Sequence, residues 1–119
     1  MSETVRLQRN ARMSQVVVHG AIAYLSGQVP PGFLDGSPPV AVQTQQVLAR
    51  IDELLAAAGT SKSRLLTAQV LLADVAEFDA MNAVWERWID PAHPPARTTC
   101  GAVLAHPNVR VEITVSAAL

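Results

Sequence analysis

Two helical repeats, each set between β-favouring runs, constrain this chain more than any other feature. Val40, Thr44, Val47, Ile51, Leu54, Leu55 and Ala58 recur at helical spacing, and Gly59 follows as a stop. Ser37-Pro38 reads as the start of that helix, with the serine as N-cap and proline in the first turn. Phe78, Met81, Trp85, Trp88 and Ile89 form the inward stripe of a second helix, which Pro91 ends. Asp74 with Glu77 resembles a capping box ahead of it, with aspartate in place of the usual hydroxyl residue.

The runs around these helices read as strands. Val16–His19 and Ile22–Ser26 flank Gly20-Ala21, a tight hairpin, and core packing is the expected role of Tyr24. Leu65–Leu72 is apolar on nearly both parities, as expected of a central strand covered on two sides. Thr98–Leu104 and Val109–Ala117 bracket the turn Ala105-His106-Pro107-Asn108 and read as a final hairpin. The order is therefore β-β-α-β-α-β-β, an α/β chain whose helices are crossovers in a partly parallel sheet. Two helices cover one face of such a sheet, so its other face, with Cys100, Ala102 and Leu104 or their opposite parity, needs a cover. A second copy of the same sheet in a closed homo-oligomer is the expected one. Residues 1–119 read as one domain, without repeat, low-complexity tract or linker.

Composition narrows the function classes. Half of the residues are hydrophobic, 16% are charged and the net charge is −1, which favours neither nucleic acid nor an anionic membrane as partner. Arg6, Arg9 and Arg12 read as a solvated strand or arm. A single cysteine excludes an internal disulfide and, with no apolar span or basic-then-apolar leader, makes the cytoplasm the expected location. His19, His93 and His106 are scattered without ligand spacing, so no metal site is expected.

Chemistry concentrates near the C-terminus. In Pro94-Pro95-Ala96-Arg97-Thr98-Thr99-Cys100 a double proline stiffens the approach to a strand, and one guanidinium then stands beside small residues. Such an arginine suits bidentate grip of a small carboxylate. Glu112 stands among β-branched apolar residues, either on a solvated face paired with Arg110 or Arg97, or as a site carboxylate. In a simple hairpin Arg97 and Glu112 would be separated by roughly 13 Å along the strand, room for a small substrate or a water between them. Asn82, between Phe78 and Trp85, is either a structural amide or a pocket group, and Ser26-Gly27-Gln28 offers backbone amides after a strand.

With those residues in hand, the chain resembles the YjgF/RidA/RutC (Rid) family, and within it the short YoaB-type members. The resemblance runs from Ala11 to Leu119. It is most specific in Pro95-Ala96-Arg97-Thr98-Thr99 and Val109-Arg110-Val111-Glu112-Ile113, with support from Ser26-Gly27-Gln28-Val29-Pro30, Leu72-Ala73-Asp74 and Phe78-Asp79-Ala80-Met81-Asn82. It implies a chorismate-mutase-like fold assembled as a homotrimer with pockets between subunits. It also implies cofactor-free hydrolysis of reactive 2-enamine or 2-imino acids, such as 2-aminoacrylate, to 2-keto acids and ammonia. Arg97 then matches the carboxylate-holding arginine, Glu112 the acid that positions or activates water, and Gly27 and Asn82 pocket-lining positions. Thr98, Thr99 and Cys100 complete the expected substrate contacts. The expected partners are a small 2-imino or 2-keto acid and further copies of the chain, with no nucleic acid and no membrane. Two positions depart from the pattern: Met13 stands where many members have a tyrosine, and Thr99 where a cysteine is common. The alternative is a non-catalytic binder or sensor of small carboxylates, or a chaperone-like protein, using the same pocket.

Overall fold

The computed structural model describes residues 3–119. Its strands are β1 (Thr4–Arg9), β2 (Ser14–His19), β3 (Ile22–Leu25), β4 (Leu65–Leu72), β5 (Ala96–Gly101) and β6 (Val111–Ala118). The helices are α1 (Val40–Ala58) and α2 (Phe78–Trp88). The strands form one mixed sheet in the order β1-β2-β3-β6-β4-β5. All neighbours are antiparallel except β4 and β5, which α2 joins as a parallel crossover pair. This is a two-layer α/β arrangement with both helices on one face.

The core lies between the helices and that face. α1 contributes Val40, Val47, Leu48, Ile51, Leu54 and Leu55, and α2 contributes Met81, Val84 and Trp85. The sheet answers with alternate residues, among them Ala68, Val70 and Leu72 of β4 and Val111, Ile113, Val115 and Ala117 of β6. Gly59 closes α1 in the left-handed conformation at φ +85°, and Gly20 turns the β2–β3 hairpin at φ +61°, both as the sequence predicts.

Several expectations give way. The final hairpin does not form: β4 lies between β5 and β6, because the α2 crossover lays β5 parallel along the outer edge of β4. β5 also starts earlier and ends earlier than predicted. Its last pairing is Gly101 with Leu72, where β4 ends, and Val103 beyond it is fully exposed. β1 is an added strand, on which Arg6 and Arg9 are exposed. Ser37 does not cap α1, which begins at Val40, because a residue preceding proline avoids the helical region and Pro38 precedes Pro39. Its hydroxyl instead donates to Asn108 O at 2.9 Å. Asp74 accepts from Ala76 N at 2.9 Å, but Glu77 does not close the box; its carboxylate pairs with Arg110. That bond raises the pKa of Arg110 above its ordinary value.

The uncovered face is also more polar than expected. Thr67, Gln69, Thr98, Thr114 and Ser116 line a groove of about 600 Å³ there, and Tyr24 opens onto it, 48% exposed rather than packed in the core. β4 is therefore flanked by strands on both edges but covered on one face, with Leu66 and Gln69 exposed. Among the described residues no helix is long and apolar enough to cross a membrane.

Candidate functional site

Strand register decides where the predicted residues point. Arg97 and Thr99 pair with the buried Ala68 and Val70, which places them on the helix side of the edge strand β5. Thr98 and Cys100 have the other parity and lie on the open face, aligned with Gln69 and Leu71. Glu112 also belongs to the open face, since Val111 and Ile113 on either side of it are fully buried in the core. Arg97 and Glu112 are thus on opposite faces of the sheet, with β4 between their strands. The expected arrangement, with both flanking one substrate in a hairpin, is not formed.

Each side carries its own cluster. On the helix side the Arg97 guanidinium lies over Trp85, its Cζ 5.1 Å from the ring centroid. Burial pulls the Arg97 pKa below the usual arginine value and Glu86 partly offsets this, which leaves the group charged at any physiological pH. Three arginines are half-buried: Arg50, Arg97 and Arg110. Arg50 bonds Glu53 and Gln8, and Arg110 bonds Glu77. Arg97 alone of these has no hydrogen bond or ion pair among the described residues, so its forked donors are free. Two residues along the same face, roughly 7 Å away, the Thr99 hydroxyl is buried with no hydrogen-bond partner among the described residues. Such orphans ask for an explanation, and a ligand is one. Asn82 sits one helical turn before Trp85 and Glu86, half-buried and likewise without a partner among the described residues.

On the open face, Gly27 and Glu112 meet. A Cβ on Gly27 would stand 2.4 Å from Glu112 Oε2 and 3.1 Å from Thr114 Oγ1, so glycine is what lets the carboxylate lie over the backbone there. The turn is held by Gln28, whose backbone N–H and C=O both bond Ile113 at 2.8 and 3.0 Å. Its buried side-chain amide donates to Gln15 Oε1 at 2.8 Å and Ser26 O at 3.0 Å. Glu112 forms no ion pair among the described residues, so the paired, solvated reading of it is not realised. Sequence reading missed the Gln28 clamp and the place of Trp85 beneath Arg97. A glutamine directly after Ser26-Gly27 was the available signal for the first; nothing in the sequence distinguished Trp85 from an ordinary core residue.

The approach to β5 is braced as well. Asp90 bonds the His93 ring and the Ala92 N–H, each at 3.0 Å, just ahead of Pro94-Pro95. These bonds, the His93 ring first, hold its carboxyl down at about 2. A depressed carboxylate contributes stability above its unfolded pKa and loses it as pH falls through the folded one. The brace is therefore intact from neutral pH to well into acid. An NMR titration of the Asp90 carboxyl carbon is expected to give a midpoint near 2; a midpoint at the ordinary aspartate value would mean that the brace is absent in solution. Among the described residues no group of three or more His, Cys, Asp and Glu could hold a metal ion.

These features can be set beside known proteins. A family model described as Endoribonuclease L-PSP matches residues 3–119. A RutC family protein of Haemophilus influenzae is 42% identical over 112 residues, covering 94% of this chain and 95% of its own. RutC family protein YoaB of Escherichia coli is 40% identical over 115 residues, 97% of each chain. Reactive Intermediate Deaminase A of Arabidopsis thaliana is 32% identical over 109 residues, 89% of this chain and 58% of that one. Among solved structures, a YjgF-family member from Neisseria meningitidis superposes with TM-score 0.92 at 35% identity, over 98% of this chain and 94% of its own. Fold and full-length similarity agree, and the chain belongs to the YjgF/RidA/RutC family.

Proposed function

We propose that this protein is a cofactor-free hydrolytic deaminase of small 2-enamine and 2-imino acids, working at sites shared between the subunits of a homotrimer. One observation carries the reading: a half-buried guanidinium with free forked donors shares one face of β5 with a buried, unpartnered hydroxyl two residues on. That pair suits one planar carboxylate with a reacting carbon held beside it. The name of the plant relative, Reactive Intermediate Deaminase A, supports the chemistry.

An enamine acid first takes a proton from solvent at C3 and so becomes the 2-iminium acid. Arg97 holds its carboxylate and fixes the adjacent, electrophilic C2. A water directed by Glu112 attacks C2, forming the C–O bond while the C=N electron pair moves to nitrogen. Glu112 takes one proton from the attacking water and passes it to the amine; as the carbinolamine collapses, its hydroxyl proton goes to the carboxylate, ammonia leaves and the 2-keto acid remains. Because Arg97 and Glu112 lie on opposite faces of one sheet, both reach a single substrate when β5 of one subunit packs beside the Gly27–Glu112 turn of another. The polar open face then lines the centre of the assembly.

The test generates 2-aminoacrylate in place with a serine dehydratase and traps the imine with semicarbazide. The protein is expected to suppress the semicarbazone while pyruvate appears. No suppression with this and with a bulkier imino acid, alongside tight binding of 2-keto acids, would favour a binding protein instead. A second variant probes the water-directing half. In Gly27→Ala the methyl group displaces the Glu112 carboxylate, which is free to swing, so the fold should hold. Loss of a positioned base lowers kcat by roughly 10²-fold, with the melting temperature nearly unchanged; unaltered kcat would remove Glu112 from the mechanism.

A further inference from the structure

Arg97 presents its donors without a single hydrogen bond or ion pair to hold it among the described residues, and the group it lies over is the Trp85 ring. That ring is 6% exposed, and Arg97 Cζ stands 5.1 Å from its centroid. The ring is itself supported. Trp88 packs against it with centroids 5.5 Å apart at 52°. Trp88 Nε1 donates to Asp52 Oδ2 on α1 at 2.9 Å, and Lys62 Nζ lies 5.3 Å from the Trp88 ring centroid. A guanidinium held by a carboxylate spends its in-plane donors on that partner, as Arg110 does with Glu77. A guanidinium held on an aromatic face spends none, because the attraction acts through the π-face and leaves the planar edge open.

We propose that Trp85 is the positioning residue for Arg97: an indole shelf, tied through Trp88 to α1, that orients the guanidinium and commits the site to planar two-oxygen anions. The proposal rests on the reading of Arg97 as the carboxylate anchor. It also specifies the class of ligand, since a plane held edge-out favours carboxylates of 2-imino and 2-keto acids over anions bound as point charges.

The test uses the assembled protein, with pyruvate as probe, and the variants Trp85→Leu and Trp85→Phe. In the native protein the Arg97 Hε resonance should be displaced upfield by the indole ring current and should shift again on adding pyruvate. Trp85→Leu is expected to raise the pyruvate Kd and the imine KM about tenfold, leave kcat within about threefold, and abolish the displacement. Trp85→Phe, which keeps a ring face, should restore the displacement and bring Kd back to within about threefold of native. A Trp85→Leu protein that binds pyruvate as tightly as native would overturn the proposal. So would a native Hε resonance without ring-current displacement, a result that needs no variant to fold. Native protein with the displaced resonance that binds neither pyruvate nor a longer 2-keto acid would overturn the carboxylate reading, and the ligand class proposed here with it. Pyruvate binding without the displacement would overturn the positioning role alone.

Discussion

Arg97→Ala is expected to lower kcat/KM for 2-iminopropanoate by about 10²–10³-fold, the loss of a charge-assisted bidentate contact of roughly 3–4 kcal/mol. Stability should barely change. Arg97 bonds no buried partner that its loss would strand, and it is not part of the apolar core. Arg97→Lys keeps the charge and loses the fork, so it should fall between the two. Glu112→Gln should lower kcat at nearly unchanged KM, because the carboxylate acts on water rather than on substrate. Opposite-face placement then gives a sharper result. When Arg97→Ala and Glu112→Gln chains are co-assembled in equal amounts, about a quarter of the shared sites pair a native arginine with a native glutamate. Activity should return to about that fraction, although each variant alone is nearly inert. Absence of recovery in verified mixed assemblies would place both residues in one subunit and overturn the shared site.

What the sequence reveals of this site follows from what periodicity can encode. The α1 stripe, Gly59 and the Gly20 turn are local, and each was legible because neighbouring residues enforce it. Strand parity was legible too: alternation correctly separates Thr99 from Cys100 and Glu112 from Val111. Neighbour order in the sheet was not. Nothing in 96–118 distinguishes a hairpin from two strands separated by β4, because the choice depends on where α2 returns the chain. The error reverses the geometry of the site, since a hairpin would set Arg97 and Glu112 against one substrate within a single chain. The placement of Arg97 over Trp85 was likewise hidden, because a buried tryptophan on a helical stripe has the same pattern whether or not a cation lies over it. The motif residues themselves were legible by resemblance, which supplies identity without supplying faces.

The second large effect is on stability, and it falls on a residue outside the site. Gln43 occupies a core position of α1 and is fully buried, a polar side chain between Val40 and Val47 in the helical stripe. Its amide N–H group donates to Pro38 O at 3.0 Å and Asn108 O at 2.9 Å, and its carbonyl accepts from Arg110 N at 2.8 Å. One side chain thus satisfies the backbone of two loops far apart in sequence, the run into α1 and the run into β6. Gln43→Leu fits the volume but strands the Arg110 N–H and the Pro38 carbonyl, while Asn108 O keeps only its bond from the Ser37 hydroxyl. Each stranded group costs about 1–3 kcal/mol, so a total of roughly 3–5 kcal/mol is expected. At fixed protein concentration this lowers the melting temperature by about 10–20 °C. Gln43→Glu keeps the shape but sets a carboxylate against two carbonyl oxygens. Protonation relieves that repulsion, so the folded-state pKa is raised and the variant should be more stable below the ordinary carboxylate range than above it. A Gln43→Leu protein melting within about 3 °C of native would show that water replaces the amide and that the hub is not needed. The consequence for the site is direct: Arg110, whose N–H bonds Gln43, lies two residues before Glu112. Loosening that end of β6 moves the carboxylate off Gly27, and Gln43→Leu should therefore lose kcat even where it remains folded.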